Sequence, residues 1–335
     1  ELPPAISSAT YNASTGVLSV TGTSMVSGDT IDTSKLTLIG EGGSSYTLTS
    51  ATVTATSATA FSIYLSAADK AAINLTFNKN GTISTGGTTF NLAAASGWDV
   101  TQSAPADLAG NGITVNNVAV PSITSSAYDA ATGTLTVSGS GFTKLSGASN
   151  DIIASKFTVT GQAGATYTLT DTANVEITSG TSFTLTLSAT DRNALQGLLN
   201  RSGTSSTGGT TYNLAAAEDW LAGADAAVVI ADVWGNGLTV ANVNSAPVAS
   251  NDSYSLNEDS PLTGSSVLTN DTDAEGNTLT ASLVSGPAHG TLTLNANGTF
   301  SYTPAANFHG TDSFTYRAYD GSTYSNDATV TLAIN

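Results

Sequence analysis

Apolar and hydroxyl residues alternate along much of the chain. Val17-Leu18-Ser19-Val20-Thr21, Phe61-Ser62-Ile63-Tyr64-Leu65, Thr134-Leu135-Thr136-Val137-Ser138 and Phe183-Thr184-Leu185-Thr186-Leu187 show it first. Thr291-Leu292-Thr293-Leu294, Thr299-Phe300-Ser301-Tyr302-Thr303 and Ala328-Thr329-Val330-Thr331-Leu332 show it again near the C-terminus. A period of two turns one face to a core and the other to water, and so predicts β-strands. Asn297-Gly298 and Asp320-Gly321 are hairpin turn pairs. Short strands punctuated by turns predict an all-β chain of sandwiches.

One interruption is helical. Ser66-Ala67-Ala68-Asp69 leads into Lys70-Ala71-Ala72-Ile73, and Ser188-Ala189-Thr190-Asp191 leads into Arg192-Asn193-Ala194-Leu195. Serine followed three residues later by an acid is a capping box with Asp in place of Glu. A second short helix or turn is expected at 92–95 and 214–217, just before Trp98 and Trp220.

These parallels belong to an internal repeat. Ser8-Ala9-Thr10-Tyr11-Asn12 returns as Ser125-Ser126-Ala127-Tyr128-Asp129 in register with Tyr11 and Tyr128. Residues 85–95 return at 207–217, and Asp107-Leu108-Ala109-Gly110-Asn111-Gly112 returns as Asp232-Val233-Trp234-Gly235-Asn236-Gly237. The offset grows through small insertions, the largest near Lys144 to Asp151, which places them in loops. Three domains follow: 1–119, its copy at 120–244, and an unrelated segment at 245–335. Pro121 and Pro247 mark the boundaries, and short proline-containing linkers make a semi-rigid string.

Charge narrows the function. The chain has 335 residues, with 8 Lys+Arg against 25 Asp+Glu and a net charge of −17. Nucleic acid is excluded as a partner, because phosphate binding needs clustered basic residues. The balance fits a chain that binds cations or works in salt. With no Cys there are no disulfides, thiolate zinc sites or thiol nucleophiles. No apolar run approaches the ~18 residues of a membrane helix, so no membrane insertion is expected. Glu1-Leu2-Pro3-Pro4 lacks the regions of a signal peptide and reads as a mature chain or a fragment.

No catalytic constellation is legible. The chain's two histidines, His289 and His309, both sit in His-Gly-Thr turn contexts, and there is no phosphate loop. An enzyme is not expected. Calcium is the better candidate. Asn270-Asp271-Thr272-Asp273-Ala274-Glu275-Gly276-Asn277 places oxygen ligands at alternate residues, as a loop folded round a six- to eight-coordinate ion requires. Ser282 stands where an EF-hand has its bidentate acid, so the expectation is a calcium loop between strands. Asp252, Glu258, Asp259, Asp312 and Asp320 crowd the same segment, where like charges repel unless a cation neutralises them.

Five motifs in order make residues 246–335 resemble the bacterial cadherin-like tandem repeat of large secreted RTX-type adhesins. They are Ala246-Pro247-Val248-Ala249-Ser250-Asn251-Asp252, Asn257-Glu258-Asp259, Val267-Leu268-Thr269-Asn270-Asp271-Thr272-Asp273, Gly286-Pro287-Ala288-His289-Gly290-Thr291 and Gly310-Thr311-Asp312-Ser313-Phe314-Thr315-Tyr316. The resemblance implies an Ig-like Greek-key sandwich with Ca2+ at domain junctions. Carried over, the ligands are Asp271, Asp273 and Asp320 with Asn277 nearby, while Glu258 serves the following junction. The family's linker is often rich in Asp. Here Asn242-Val243-Asn244-Ser245-Ala246-Pro247 lacks the acids and leaves Asn244 in their place, which lowers the expected affinity. The first two domains resemble bacterial Ig-like repeats, so the fold class is three tandem Ig-like sandwiches with short helical turns in the first two.

In the repeats, helix capping explains Asp69 and Asp191, while Asp107 and Asp232 either bind a cation or tie a turn. Asp29-Thr30-Ile31-Asp32 has only Asn150-Asp151 as its counterpart. Trp98 and Trp220 read as core. The expected function is a calcium-stiffened extender of a secreted bacterial surface adhesin, outside the cell, presenting a binding tip elsewhere. Its partners are neighbouring domains of the same or identical chains, with cell-surface glycan or protein reached through other regions. Two other readings stand beside it. A self-assembling subunit of a filament or surface layer would exploit edge strands with few Lys. A glycan- or peptide-binding module would need exposed aromatics, for which Trp234, Tyr319 and Tyr324 are candidates.

Overall fold

Leu18, Val20, Phe61 and Ile63 are each no more than 1% exposed, while Ser19 and Thr21 between them face solvent. The alternation therefore closes a core as predicted. The computed structural model describes residues 2–335. It divides into two compact units, Glu1–Ala241 and Asn242–Asn335.

In the first repeat, seven strands form one sheet in the order Ser45–Thr47, Leu36–Ile39, Asn91–Ala94, Gly112–Asn116, Ala5–Asn12, Val17–Thr23, Ala60–Tyr64. A single residue pair, Asn91 with Gly112, joins its two halves. In the second repeat the same pattern is split. Ser182–Thr186, Thr134–Ser140, Ser122–Asp129 and Leu238–Ala241 form one sheet, and Thr166–Thr168, Phe157–Thr160 and Asn213–Ala216 the other. The first strand of each repeat runs parallel to its last, as in Ala9 opposite Ile113 and Ala127 opposite Thr239.

The helices fall where the serine signals put them: α1 is Ala67–Thr76 and α2 is Ala189–Gln196. Ser66 and Ser188 accept the Asp69 and Asp191 amides, at 3.1 and 3.0 Å. The second helical expectation fails. Residues 92–95 and 214–217 belong mainly to the strands Asn91–Ala94 and Asn213–Ala216. Alanine's helix propensity misleads here, because Leu92 and Ala94 are both fully buried by pairing with Leu36–Ile39.

The unit Asn242–Asn335 is a two-layer sandwich. One layer runs Asp252–Leu256, Ala328–Ile334, Gly310–Tyr319, Thr280–Ser285, and the other Leu262–Gly264, Phe300–Pro304, Gly290–Leu294. The strands thus change layers in a Greek-key order, with the first parallel to the last. Phe300, Phe314, Tyr302 and Tyr316 fill the space between, each at most 1% exposed.

Candidate functional site

The expected calcium ligands separate into three places within Asn242–Asn335. The first is the loop end that holds Asp320. There Asn244 Nδ2 donates to Asp320 Oδ2 at 2.9 Å, and Asn277 Nδ2 donates to Asn244 Oδ1 at 3.0 Å. The Asn277 amide donates to Asp273 Oδ1 at 2.7 Å. Asn244, Asp273, Asn277 and Asp320 therefore form one continuous chain of contacts. Burial pushes the Asp320 carboxyl up, but hydrogen bonds from Thr323, Asn244 and Ser322 outweigh it and bring it down to about 2. The other Asp273 oxygen, Oδ2, is buried and accepts no hydrogen bond.

Asp252 and Asp271 occupy the second place, round the Tyr316 hydroxyl. That oxygen lies 2.8 Å from the Val267 carbonyl, 3.2 Å from the Ser250 carbonyl, 3.3 Å from Asp252 Oδ2 and 3.1 Å from each Asp271 oxygen. One hydroxyl proton cannot satisfy this many acceptors. Burial raises the carboxyl of Asp271, and burial followed by the Asp271 charge raises that of Asp252. Asp271, Asp273 and Asn277 also line an open cavity of about 390 Å³ with Ser266, Thr269 and Asn297.

Glu258 and Asp312 lie at the opposite end of the sandwich, as strand register requires. Asp312 is 5% exposed and accepts the Ala288, His289 and Ser313 amides and the Tyr302 hydroxyl. It ties a turn. Glu258 is exposed. The sequence offered no sign of Tyr316 as the hub between Asp252 and Asp271, because tyrosine in an alternating strand reads as core.

Whether the residues fit calcium turns on the donor set. Among the described residues no three His, Cys, Asp or Glu side chains converge to hold a metal by themselves. Calcium readily takes neutral oxygens and water as well as carboxylates. Asn244 and Asn277 supply amide oxygens, and the orphaned Asp273 oxygen and the crowd round Tyr316 both lack a positive partner. The residues fit the ion on those terms.

The repeats use their acids differently. Asp69 caps nothing with its carboxylate. It accepts the Tyr46 hydroxyl at 2.9 Å and the Ser50 amide at 2.7 Å, together with the Thr49 amide and hydroxyl. Asp191 does the same for Tyr167, Thr170 and Thr172. Asp107 accepts the Ile6 amide and Asn111 Nδ2, and Asp232 accepts the Ile123 amide and Asn236 Nδ2. These two acids tie turns to the first strand. Trp98 and Trp220 are fully buried, and Trp234 is 84% exposed.

The repeats also meet each other within Glu1–Ala241. The Lys144 amide donates to the Leu75 carbonyl at 2.7 Å, and Asn78 Nδ2 donates to the Lys144 carbonyl at 2.8 Å. Ser146 N donates to Glu41 Oε1 at 3.3 Å, and Thr85 Oγ1 to the Gly223 carbonyl at 3.1 Å. The insertion near Lys144 is thus the docking loop of the second repeat.

A family model described as a bacterial Ig domain matches residues 244–333. That segment is of the bacterial Ig class, and its sandwich has the corresponding layers. No curated protein matches the chain. Among solved structures, Drosophila N-cadherin EC1-4 aligns at 12% identity over 100% of this chain and 76% of that one, with a TM-score of 0.26. The S-layer protein rSbsC aligns at 13% identity over 100% and 54%, with a TM-score of 0.22. An endo-fucoidan hydrolase from glycoside hydrolase family 107 aligns at 14% identity over 93% and 42%, with a TM-score of 0.21. The chain spans between 26% and 54% of the first five solved chains it matches. Scores this low carry no inference about this chain. No helix among the described residues is long and apolar enough to cross a membrane.

Proposed function

We propose that this chain is an extender segment of a secreted bacterial surface protein, made of β-sandwich domains and stiffened by calcium. The observation that carries it is the junction between the repeats. Backbone and buried side-chain hydrogen bonds cross it, so two sandwiches behave as one body rather than beads on a flexible string. An extender has mechanical work, and no catalytic step is assigned to it.

The calcium part rests on oxygens without positive partners: Asp273 Oδ2, and the Asp252 and Asp271 carboxylates facing one tyrosine hydroxyl. Asp271 and Asp273, which line one open cavity with Asn277, would hold the ion, with Asp252 beside Asp271 and the contacts through Asn244 to Asp320 adjoining. Bound there, calcium neutralises the acids and stabilises the folded sandwich. At a hundredfold excess over Kd the gain is about 2.7 kcal/mol. For a domain of this size that is a rise of roughly 10–20 °C in midpoint.

The test is thermal unfolding of the full chain in millimolar calcium and in excess chelator. One transition should fall by about 10 °C or more on chelation, and Asp271→Asn should abolish that dependence. If no transition moves, calcium does not stiffen this chain.

A further inference from the structure

A second pair of acids lies in the first repeat, far from the sites above in sequence. Asp29 is 6% exposed and Asp99 is fully buried. Asp99 Oδ1 accepts the Thr101 and Gln102 amides at 3.1 and 3.2 Å. Its other oxygen, Oδ2, is buried and accepts nothing. Asp29 Oδ2 accepts the Val26 amide at 3.0 Å and Gln102 Nε2 at 2.7 Å. Burial and then the facing Asp29 carboxylate push the Asp99 carboxyl up, against the two amide hydrogen bonds. The ion pairs among the described residues are Lys79–Asp225, His289–Asp312 and Arg317–Asp327, and none of them reaches this place.

We propose that Asp29 and Asp99 form a divalent-cation site in the first repeat, suited to a hard, oxygen-seeking ion such as calcium. Two carboxylates facing each other in a dry place need a counter-charge or a shared proton. The oxygen inventory favours the cation. Besides the two acids, the Ser24 carbonyl supplies a neutral oxygen, held by Gln102 Nε2, which donates to it at 3.1 Å and to Asp29 Oδ2 at 2.7 Å. Calcium accepts such neutral oxygens.

The second repeat supplies the control. Asp99 pairs with Ile31, and the matching bridge in the second repeat joins Ile152 to Leu221, an apolar side chain. Asp151, the acid in that region, has both oxygens occupied by amides, from Leu145 and Ile177. The orphaned carboxylate oxygen of Asp99 therefore has no counterpart at Leu221, while Asp151 faces Glu176 with its own two oxygens occupied.

Terbium is the probe, because it replaces calcium at oxygen sites and luminesces when a nearby indole passes it energy. Trp98 adjoins Asp99 in sequence. Titrating the folded full chain with terbium under indole excitation should give emission that saturates and is displaced by calcium. Asp99→Asn and Asp29→Asn should each reduce it at least tenfold while far-ultraviolet circular dichroism stays unchanged. Trp98→Phe should dim the emission without lowering the number of ions bound. Asp271→Asn should leave it intact, which separates this site from the one in residues 242–335. Absence of indole-sensitised emission from the folded wild-type chain overturns the proposal, as does undiminished emission from a folded Asp29→Asn or Asp99→Asn chain. In either case the two acids share a proton instead.

Discussion

The two repeats build the same small socket and fill it with different residues. In the first, Glu41 Oε2 accepts Asn78 Nδ2 at 3.0 Å and the Gly86 amide at 2.8 Å. In the second, Gln162 Oε1 accepts Asn200 Nδ2 at 3.3 Å and the Gly208 amide at 3.1 Å. The first socket also takes a partner from the next repeat, Ser146, on the second Glu41 oxygen, whereas the third partner of Gln162 is the Thr207 hydroxyl of its own repeat. The following residue differs to match. Gly42, at φ +63°, has no room for a Cβ, which would meet the Ser146 hydroxyl at 2.5 Å. Its counterpart Ala163 takes nearly the same backbone angle, φ 56°, with a side chain. The socket is thus common to both repeats, while its docking side differs by one loop insertion and two residues.

The largest effects should come from what the repeats share. Asp69→Ala and Asp191→Ala each strand several buried hydroxyl and amide donors, and should cost about 3–4 kcal/mol by chemical denaturation. Equal costs would support a common fold device, and unequal ones would break the equivalence of the copies. Acid sharpens the same point. Burial raises the Asp69 carboxyl, but hydrogen bonds from Ser50, Thr49 and Tyr46 bring it from 3.8 to about 2. A lowered native value means stability that is present above pH 4 and lost as pH falls toward 2. The loss should be about 2 kcal/mol, and Asp69→Asn should flatten that part of the pH profile.

An intermediate effect should come from what they do not share. Burial raises the Glu41 carboxyl, but hydrogen bonds from Gly86, Asn78, Ser84 and Ser146 lower it overall, so it is charged at neutral pH. Glu41→Gln would set an amide NH2 against the Ser146 amide, donor against donor. The expected cost is about 1–2 kcal/mol, read as earlier unfolding of the first unit in denaturant. The reciprocal Gln162→Glu, in a socket whose Oε1 donors Asn200, Thr207 and Gly208 come from its own repeat, should change stability by less than about 0.5 kcal/mol. A large cost for the second swap would show that the socket, not the junction, demands the residue.

Much of this was legible from residues alone. The alternation in Val17-Leu18-Ser19-Val20-Thr21 located a strand because its partner could be any other alternating segment of the right length. Ser66 and Ser188 located helix starts because capping is local. The alanine runs at 92–95 and 214–217 misled, since their partner strand lies more than fifty residues away and decides the outcome. A calcium loop was expected from spacing; the structure draws Asn244, Asp273, Asn277 and Asp320 together and sets Asp271 against Tyr316. Tyr316, Glu41 and the orphaned oxygen of Asp99 were not legible. Each owes its role to a residue distant in sequence, and none departs from an ordinary strand or turn composition.

The smallest effect tests what kind of force holds the junction. Lys79 and Asp225 bridge the repeats at 3.6 Å, with side chains 42% and 20% exposed. Water and salt screen a pair this open, so Lys79→Ala should cost no more than about 0.5 kcal/mol, and less at high salt. The hydrogen bonds round Glu41 and Lys144 lie deeper, where each unmade bond leaves a buried group without water. Lys79→Ala should therefore matter less than Glu41→Gln in the same denaturation assay. If the order is reversed, long-range charge holds the repeats together and the socket is incidental. A chain of net charge −17 with only 8 basic residues would then depend on one of them for its stiffness.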